Sequence, residues 1–315
     1  MAEELHHPHD ALVRAVLSDL AEARSFLQVH LPADLSQSLN WPTLRLLENS
    51  FVDEDLRSSE ADLLYGVEQV SGEGAVWVYV LLEHQSRPDY WMRLRLLKYC
   101  CRIWEMNLKE QPRPGALRPI VPLVFYQGAR RWTHATEFAH LFAESTRDWP
   151  WVPHFSHELI DQSGLRPESV QGAVKVQLMQ LLMWAASHPD AAWMEQVAAL
   201  WSSLSSDAPS GGINYVRVFV LYILATQEAA SAQSFREVLR GHVPEAGDDL
   251  MTYAQQLLAE GREEGREEGR EEGRIKERVA MIENLLHEGI EWSVIERVSG
   301  VNAGQFEALK QQLDD

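Results

Sequence analysis

The sequence predicts an α/β protein: a mixed sheet flanked by helices, followed by a mostly helical C-terminal half. Three observations predict it. Apolar runs of strand length, rich in β-branched and aromatic residues, stand at 62–70 ("DLLYGVEQV"), 75–85 ("AVWVYVLLEHQ") and 119–128 ("PIVPLVFYQG"), the pattern of buried strands. A long helix-type pattern, "DYWMRLRLLKYCCRIWEMNLKEQ" at 89–111, separates the second strand from the third. From Pro167 to Val243 the apolar residues recur at helical spacing. Helix, hairpin, helix and strand in that order build a mixed sheet with helical cover.

Each element has its own signal. Asp10 precedes "ALVRAVLSDLAEARSFLQVHL" and is placed to cap one helix that ends near Leu31-Pro32. Residues 39–56 are mixed in character, and Pro42 breaks any helix there. "SGEG" at 71–74 joins the first two strands as a short hairpin loop, its glycines supplying the backbone freedom a tight turn needs. In the helical half, "VQGAVKVQLMQLLMWAASH" and "NYVRVFVLYILATQ" are the clearest helices, with a loop at 202–212 between them. A Gly-Arg-Glu-Glu repeat begins at Gly261. As a helix it would bring Glu263 to Arg266 and Glu267 to Arg270, yet each glycine costs about 1 kcal/mol against alanine there. A solvated marginal helix and a flexible charged linker both fit. Three short amphipathic pieces, separated by Gly289 and "SGVN", close the chain at 281–313. They fit a helix-turn-helix or a small oligomerisation or docking unit. The chain therefore reads as a domain over 1–250, a charged segment over 251–274 and a small helical unit over 275–315.

Composition narrows the function classes. The 315 residues are 45% apolar, with 11 tryptophans, and carry a net charge of −19. Both the first 250 residues and the remainder are acidic, so any nucleic-acid site must be a small local patch. Trp104, Trp184 and Trp193 read as core. No stretch reaches about 18 uncharged apolar residues, which argues against a membrane-spanning helix. The two cysteines, Cys100 and Cys101, are adjacent and poorly placed to staple distant segments, which fits a reducing cytoplasm. His6, His7 and His9 read as a frayed polar terminus, and His154 and His157 have no ligand partners at a defined spacing.

The hairpin carries the chemistry. If Val70 pairs with Ala75, antiparallel register sets Asp62 opposite Glu83, with Leu64 opposite Leu81 and Gly66 opposite Tyr79. Paired residues project to one face, and period-two alternation adds Gln85 to that face while His84 points away. Two carboxylates so placed repel unless a cation sits between them. A hard dication such as Mg²⁺ takes one or two protein carboxylates and fills its other positions with water and phosphate oxygens. A register slip of one residue would separate the pair. On the following helix Arg95, Lys98 and Arg102 share a face suited to phosphate contact. A solvated face, its stems covering apolar neighbours, is the structural alternative.

Four stretches resemble the recombination-promoting nuclease family, also described as YhgA-like putative transposases: "HDALVRAVL" (9–17), "SFVDEDLRSSEADLLYGVE" (50–68), "LLEHQSRPDYWMRLRLLKY" (81–99) and "PIVPLVFYQG" (119–128). Asp62 followed by Glu83-His84-Gln85 is similar to the Asp…Glu-x-Lys signature of PD-(D/E)XK, restriction-endonuclease-like nucleases. The resemblance covers about the first 250 residues, most closely as far as Gly128. It implies a restriction-endonuclease-like core and a metal-dependent DNA endonuclease linked to recombination. It further implies that Asp62, Glu83 and the His84 backbone carbonyl hold Mg²⁺ (or Mn²⁺ or Ca²⁺), and that Gln85 orients the attacking water. Asp10, from the family's "HD", would be an outer-shell acid. Gln85 stands where lysine is usual, and a neutral amide hydrogen-bonds but carries no charge. DNA is the expected partner. A homodimer through the C-terminal region would set two sites on opposite strands.

Overall fold

A computed structural model describes residues 8–47, 63–72, 74–83, 88–110, 115–128, 130–188, 192–204, 215–227, 229–242, 274–276, 278–302, 304–306 and 310. The chain forms two compact units, Met1–Met251 and Thr252–Asp315.

The first unit opens with α1 (Pro8–Leu17), α2 (Leu20–His30) and the short α3 (Ala33–Ser38). A five-stranded sheet follows, in the order β1 (Leu39–Leu47), β2 (Leu63–Gln69), β3 (Ala75–Glu83), β4 (Ile120–Tyr126) and β5 (Glu158–Asp161). β1, β2 and β3 form an antiparallel meander, whereas β4 and β5 run parallel to β3. The crossover from β3 to β4 is α4 (Met92–Glu110). Four helices complete the unit: α5 (Val174–Ala186), α6 (Ala192–Leu204), α7 (Tyr215–Thr226) and α8 (Ala229–His242). The α/β class, the mixed sheet with flanking helices and the helical C-terminal half are as the sequence predicts.

Alternation divides the sheet between two cores. On one face Leu64, Trp77, Tyr79, Val124 and Tyr126 pack against Met92, Leu96, Tyr99 and Ile103 of α4. On the other, the Phe125 ring meets Phe26 of α2 edge-on at 5.4 Å, and the Tyr65 hydroxyl donates to the Leu17 carbonyl at the end of α1. Both faces are covered, so β2, β3 and β4 read as continuous apolar runs rather than alternating ones. Inside the helical half, α5 is buried nearly all round, through Val176, Leu178, Met179, Leu181, Leu182 and Met183.

Several expectations are corrected. The hairpin register differs: Leu64 faces Tyr79 and Gly66 faces Trp77, each two residues from the expected partner. Gln69 N–H donates to the Gly74 carbonyl, so the loop closes one residue early on both arms, and Val70 leaves the ladder to donate to the Ser38 carbonyl. Gly72 and Gly74 take positive φ of 76° and 122°, which glycine alone adopts freely. The register that set Asp62 opposite Glu83 is therefore not the one formed in the described ladder. A slip of two, unlike a slip of one, leaves every residue on its expected face.

The single helix expected over 10–31 is two. The chain breaks at Ser18-Asp19, where the Asp19 carboxylate accepts from Ala21 N–H and caps α2. Asp10 is consequently inside the first turn of α1 rather than at its N-cap. β1, which the sequence did not reveal as a strand, is an edge strand whose register shifts between Asn40 and Arg45, where Pro42 is tolerated because edges and bulges do not need its missing N–H. Within that irregularity Thr43 Oγ1 accepts from Glu68 N–H at 2.9 Å, replacing a ladder bond. Helix α6 also runs to Leu204, into the segment expected as a loop.

The second unit has its own small core of Val279, Ile282, Ile295, Val301 and Phe306. Helical residues 278–287 and α9 (Trp292–Ser299) are separated at Gly289, and Gly300 ends α9 with φ of 69°. The Gly-Arg-Glu repeat up to residue 273 lies outside the described residues.

Candidate active site

The three parallel strands finish together. Glu83 is level with Tyr126, and Tyr126 is level with Asp161, so one row crosses the sheet at its C-terminal edge. β2 runs the other way, its first described residue Leu63 pairing with Val80, so the chain enters β2 at the same edge where β3 ends. Ligands of open α/β sheets bind at the carboxyl ends of the parallel strands. Asp62, His84 and Gln85 lie outside the described residues, and Glu83 is placed by its backbone as the last residue of β3.

The row's other members are held by identifiable bonds. The Asp161 carboxylate accepts from Trp132 N–H at 3.0 Å and from the backbone N–H and hydroxyl of Ser163 at 3.0 and 2.7 Å. Asp161 thereby clamps the β4–β5 connection to the strand end, and its oxygens are engaged in doing so. The Tyr126 hydroxyl donates to the Arg130 carbonyl, and its ring meets Trp132 edge-on at 5.1 Å. Behind the row, Gln127 is buried and donates to the Met183 carbonyl of α5. The Tyr222 hydroxyl hydrogen-bonds both Gln127 and His9 Nδ1, the latter at 2.7 Å. Burial holds the Tyr222 hydroxyl well above the ordinary phenol range. His9 is thus a tertiary strut between α1 and α7 rather than part of a frayed terminus, and it ties the N-terminal helix to the end of β4. Asp10, next to it, is buried.

The cations of α4 divide by role. Arg93 is buried and donates to the carbonyls of Glu137 and Tyr90, so it braces the β4–β5 connection. Arg95 holds Asp89 at 3.1 Å, and Arg102 holds Glu105 at 3.0 Å in an exposed pair. Lys98 is exposed. His157, given no role by spacing, is buried beside Trp132, and neither ring nitrogen has a hydrogen-bond partner among the described residues. Only tertiary packing reveals His157 and the Gln127–Tyr222–His9 link. "FYQG" after an apolar strand was the one sequence signal for Gln127.

Among the described residues no group of three or more His, Cys, Asp or Glu side chains could hold a metal ion. None of the helices among them is long and apolar enough to cross a membrane.

Residues 7–209 match the family described as "Putative transposase, YhgA-like". The chain is similar to the recombination-promoting nuclease RpnA of Escherichia coli K12, 27% identical over 307 residues, which are 96% of this chain and 97% of RpnA. It is likewise 27% identical to RpnD of Escherichia coli O157:H7 over 253 residues, 79% of this chain and 94% of the relative. A protein named inactive recombination-promoting nuclease-like protein RpnE, from Escherichia coli K12, is 26% identical over 91% of this chain and 92% of its own length. No solved structure matches.

Proposed function

The chain belongs to the YhgA-like putative transposase family, and from that premise we propose that it is a metal-dependent DNA endonuclease that hydrolyses phosphodiester bonds in recombination. The observation that carries this reading is the sheet edge at which β3 ends on Glu83 while the chain enters β2 directly after Asp62. The meander, crossover helix and parallel strand are also the connections expected of a restriction-endonuclease-like core. Relatives named as recombination-promoting nucleases over nearly the whole chain add support.

The residues fit a hard dication by their chemistry. Asp62, Glu83 and the His84 carbonyl offer only oxygen donors, which suit Mg²⁺, Mn²⁺ or Ca²⁺. Bound there, the ion supplies Lewis acidity toward a phosphodiester oxygen and toward water. Gln85 orients the attacking water through its amide and, lacking a lysine's charge, leaves charge stabilisation to its neighbours. Lys98 is available to a backbone phosphate as it stands, whereas Arg95 and Arg102 exchange Asp89 and Glu105 for it. Asp10, buried in the first turn of α1, acts as an outer-shell acid.

Purified protein incubated with supercoiled plasmid and Mg²⁺ or Mn²⁺ tests this. Wild type nicks the plasmid and Asp62→Ala does not; equal nicking by both refutes the assigned site. A second reading, a catalytically weak or inactive DNA-associated assembly protein that keeps the nuclease fold, is favoured by Gln85 and by the relative named inactive. It is selected if wild type binds DNA without cutting it under either ion.

A further inference from the structure

Beside the candidate edge a row of rings runs outward to solvent. Tyr126, level with Glu83 in the ladder, meets Trp132 at 5.1 Å. Trp132 meets His134 at 6.1 Å, His134 meets Tyr90 at 5.4 Å and Tyr90 meets Trp91 at 5.1 Å, all close to perpendicular. Tyr126 is buried and Trp132 and His134 are half-buried, whereas Tyr90 is 45% and Trp91 55% exposed. Two adjacent large aromatics left in water are informative where a single exposed apolar residue is not.

The outer pair is built rather than loose. Asp89 accepts from Trp91 N–H at 2.7 Å and, with its other oxygen, holds Arg95. Arg93 donates to the Tyr90 carbonyl and lays its guanidinium 5.4 Å from the centre of the Tyr90 ring. The backbone that carries both rings is therefore fixed without a ligand, with a cation against the Tyr90 ring and the exposed Lys98 on the helix that follows.

We propose that Tyr90, Trp91 and His134 form a stacking platform for unpaired DNA bases, so that the preferred substrate carries a single-stranded segment next to the scissile phosphate. The inference deepens the nuclease reading and rests on it for the site's location. Mutually perpendicular rings cannot present one flat apolar patch to a protein, but each offers a separate π-face, and any base can stack on one regardless of sequence. Bases inside a duplex have both faces occupied. Only an unpaired strand can use the row, and the row leads to the edge where Glu83 stands.

The test uses the full chain in EDTA, so that binding is read without cleavage. Fluorescence anisotropy is measured with a labelled single-stranded oligonucleotide and with its duplex. For Trp91→Leu, single-strand affinity falls by about fivefold or more, the size expected for one lost base stack, while duplex affinity changes less than twofold. Trp91→Phe, which keeps a π-face, binds single strands within about threefold of wild type. The platform is overturned if wild type binds no single strand, if Trp91→Leu weakens both ligands alike or neither, or if phenylalanine fails as badly as leucine. The nuclease reading is scored separately. Plasmid nicking by wild type with unchanged single-strand binding in Trp91→Leu sinks the platform alone. Platform-dependent binding with no cleavage of plasmid or of the single-stranded oligonucleotide under either ion leaves the platform standing and sinks the nuclease.

Discussion

Acid should unfold this protein earlier than its carboxylates alone dictate, and His157 is the reason. The side chain is 3% exposed, and burial pushes its pKa from 6.5 down to about 4. The Arg93 guanidinium pushes the same way, while the Thr136 carbonyl that accepts its backbone N–H and the Glu137 carboxylate oppose it. Above pH 6.5 the imidazole is neutral whether the chain is folded or not, and stability carries no proton term from it. Between 6.5 and 4 the unfolded chain takes up a proton that the folded chain refuses, so folding weakens as pH falls. Each unit costs about 1.4 kcal/mol, and the whole window about 3 kcal/mol. The substitution that removes this term is His157→Phe, which keeps a ring against Trp132. Urea unfolding followed by tryptophan fluorescence at pH 7.0, 5.5 and 4.5 measures it. Wild type should lose about 2–3 kcal/mol more than the variant between the first and last pH. Other groups, including the half-buried His30 whose pKa burial also lowers, contribute equally to both proteins and cancel. Parallel pH slopes for the two would refute the assignment of a neutral buried imidazole at 157.

Two other perturbations bear on stability and on the site. Lys175 sits 3.5 Å from Glu22 with both side chains nearly buried, and its ammonium lies 4.3 Å from the centre of the Tyr215 ring. Burial already raises the Glu22 pKa against the pull of Lys175, so Lys175→Met should cost about 3 kcal/mol in urea unfolding. Adding Glu22→Leu should recover most of that loss, because the stranded carboxylate is what costs. Millimolar Mg²⁺ should raise the wild-type melting temperature by mass action, and Glu83→Ala should abolish the rise; an unchanged rise would remove Glu83 from the ion's ligands.

Local pattern alone revealed much of the fold. β2, β3, β4 and α4 are legible because long apolar runs at period two or 3.6 have few alternative uses. β5 has only four residues, too few for a periodic signal, and β1 hides behind Pro42, which an edge strand accepts for reasons visible only once the sheet exists. The break between α1 and α2 was invisible because the apolar spacing continues across it. What decides it is the Asp19 carboxylate, which caps Ala21 and also accepts from the Tyr215 hydroxyl at 3.0 Å, 196 residues away.

The same division holds at the candidate site. Sequence by itself determined that the chain is α/β, that a hairpin strand runs as far as Glu83, and which face of the sheet the residues of β2, β3 and β4 occupy, because side-chain alternation depends only on parity. Tertiary structure decided the register, through where the loop closes and where Val70 finds its acceptor on Ser38. It also decided that Arg93 is a buried brace, that His9 and His157 are held inside the unit, and that Tyr90, Trp91, His134, Trp132 and Tyr126 form one row. Those residues are scattered over some 45 positions of chain, and only the parallel crossover that lays β4 beside β3 brings them together.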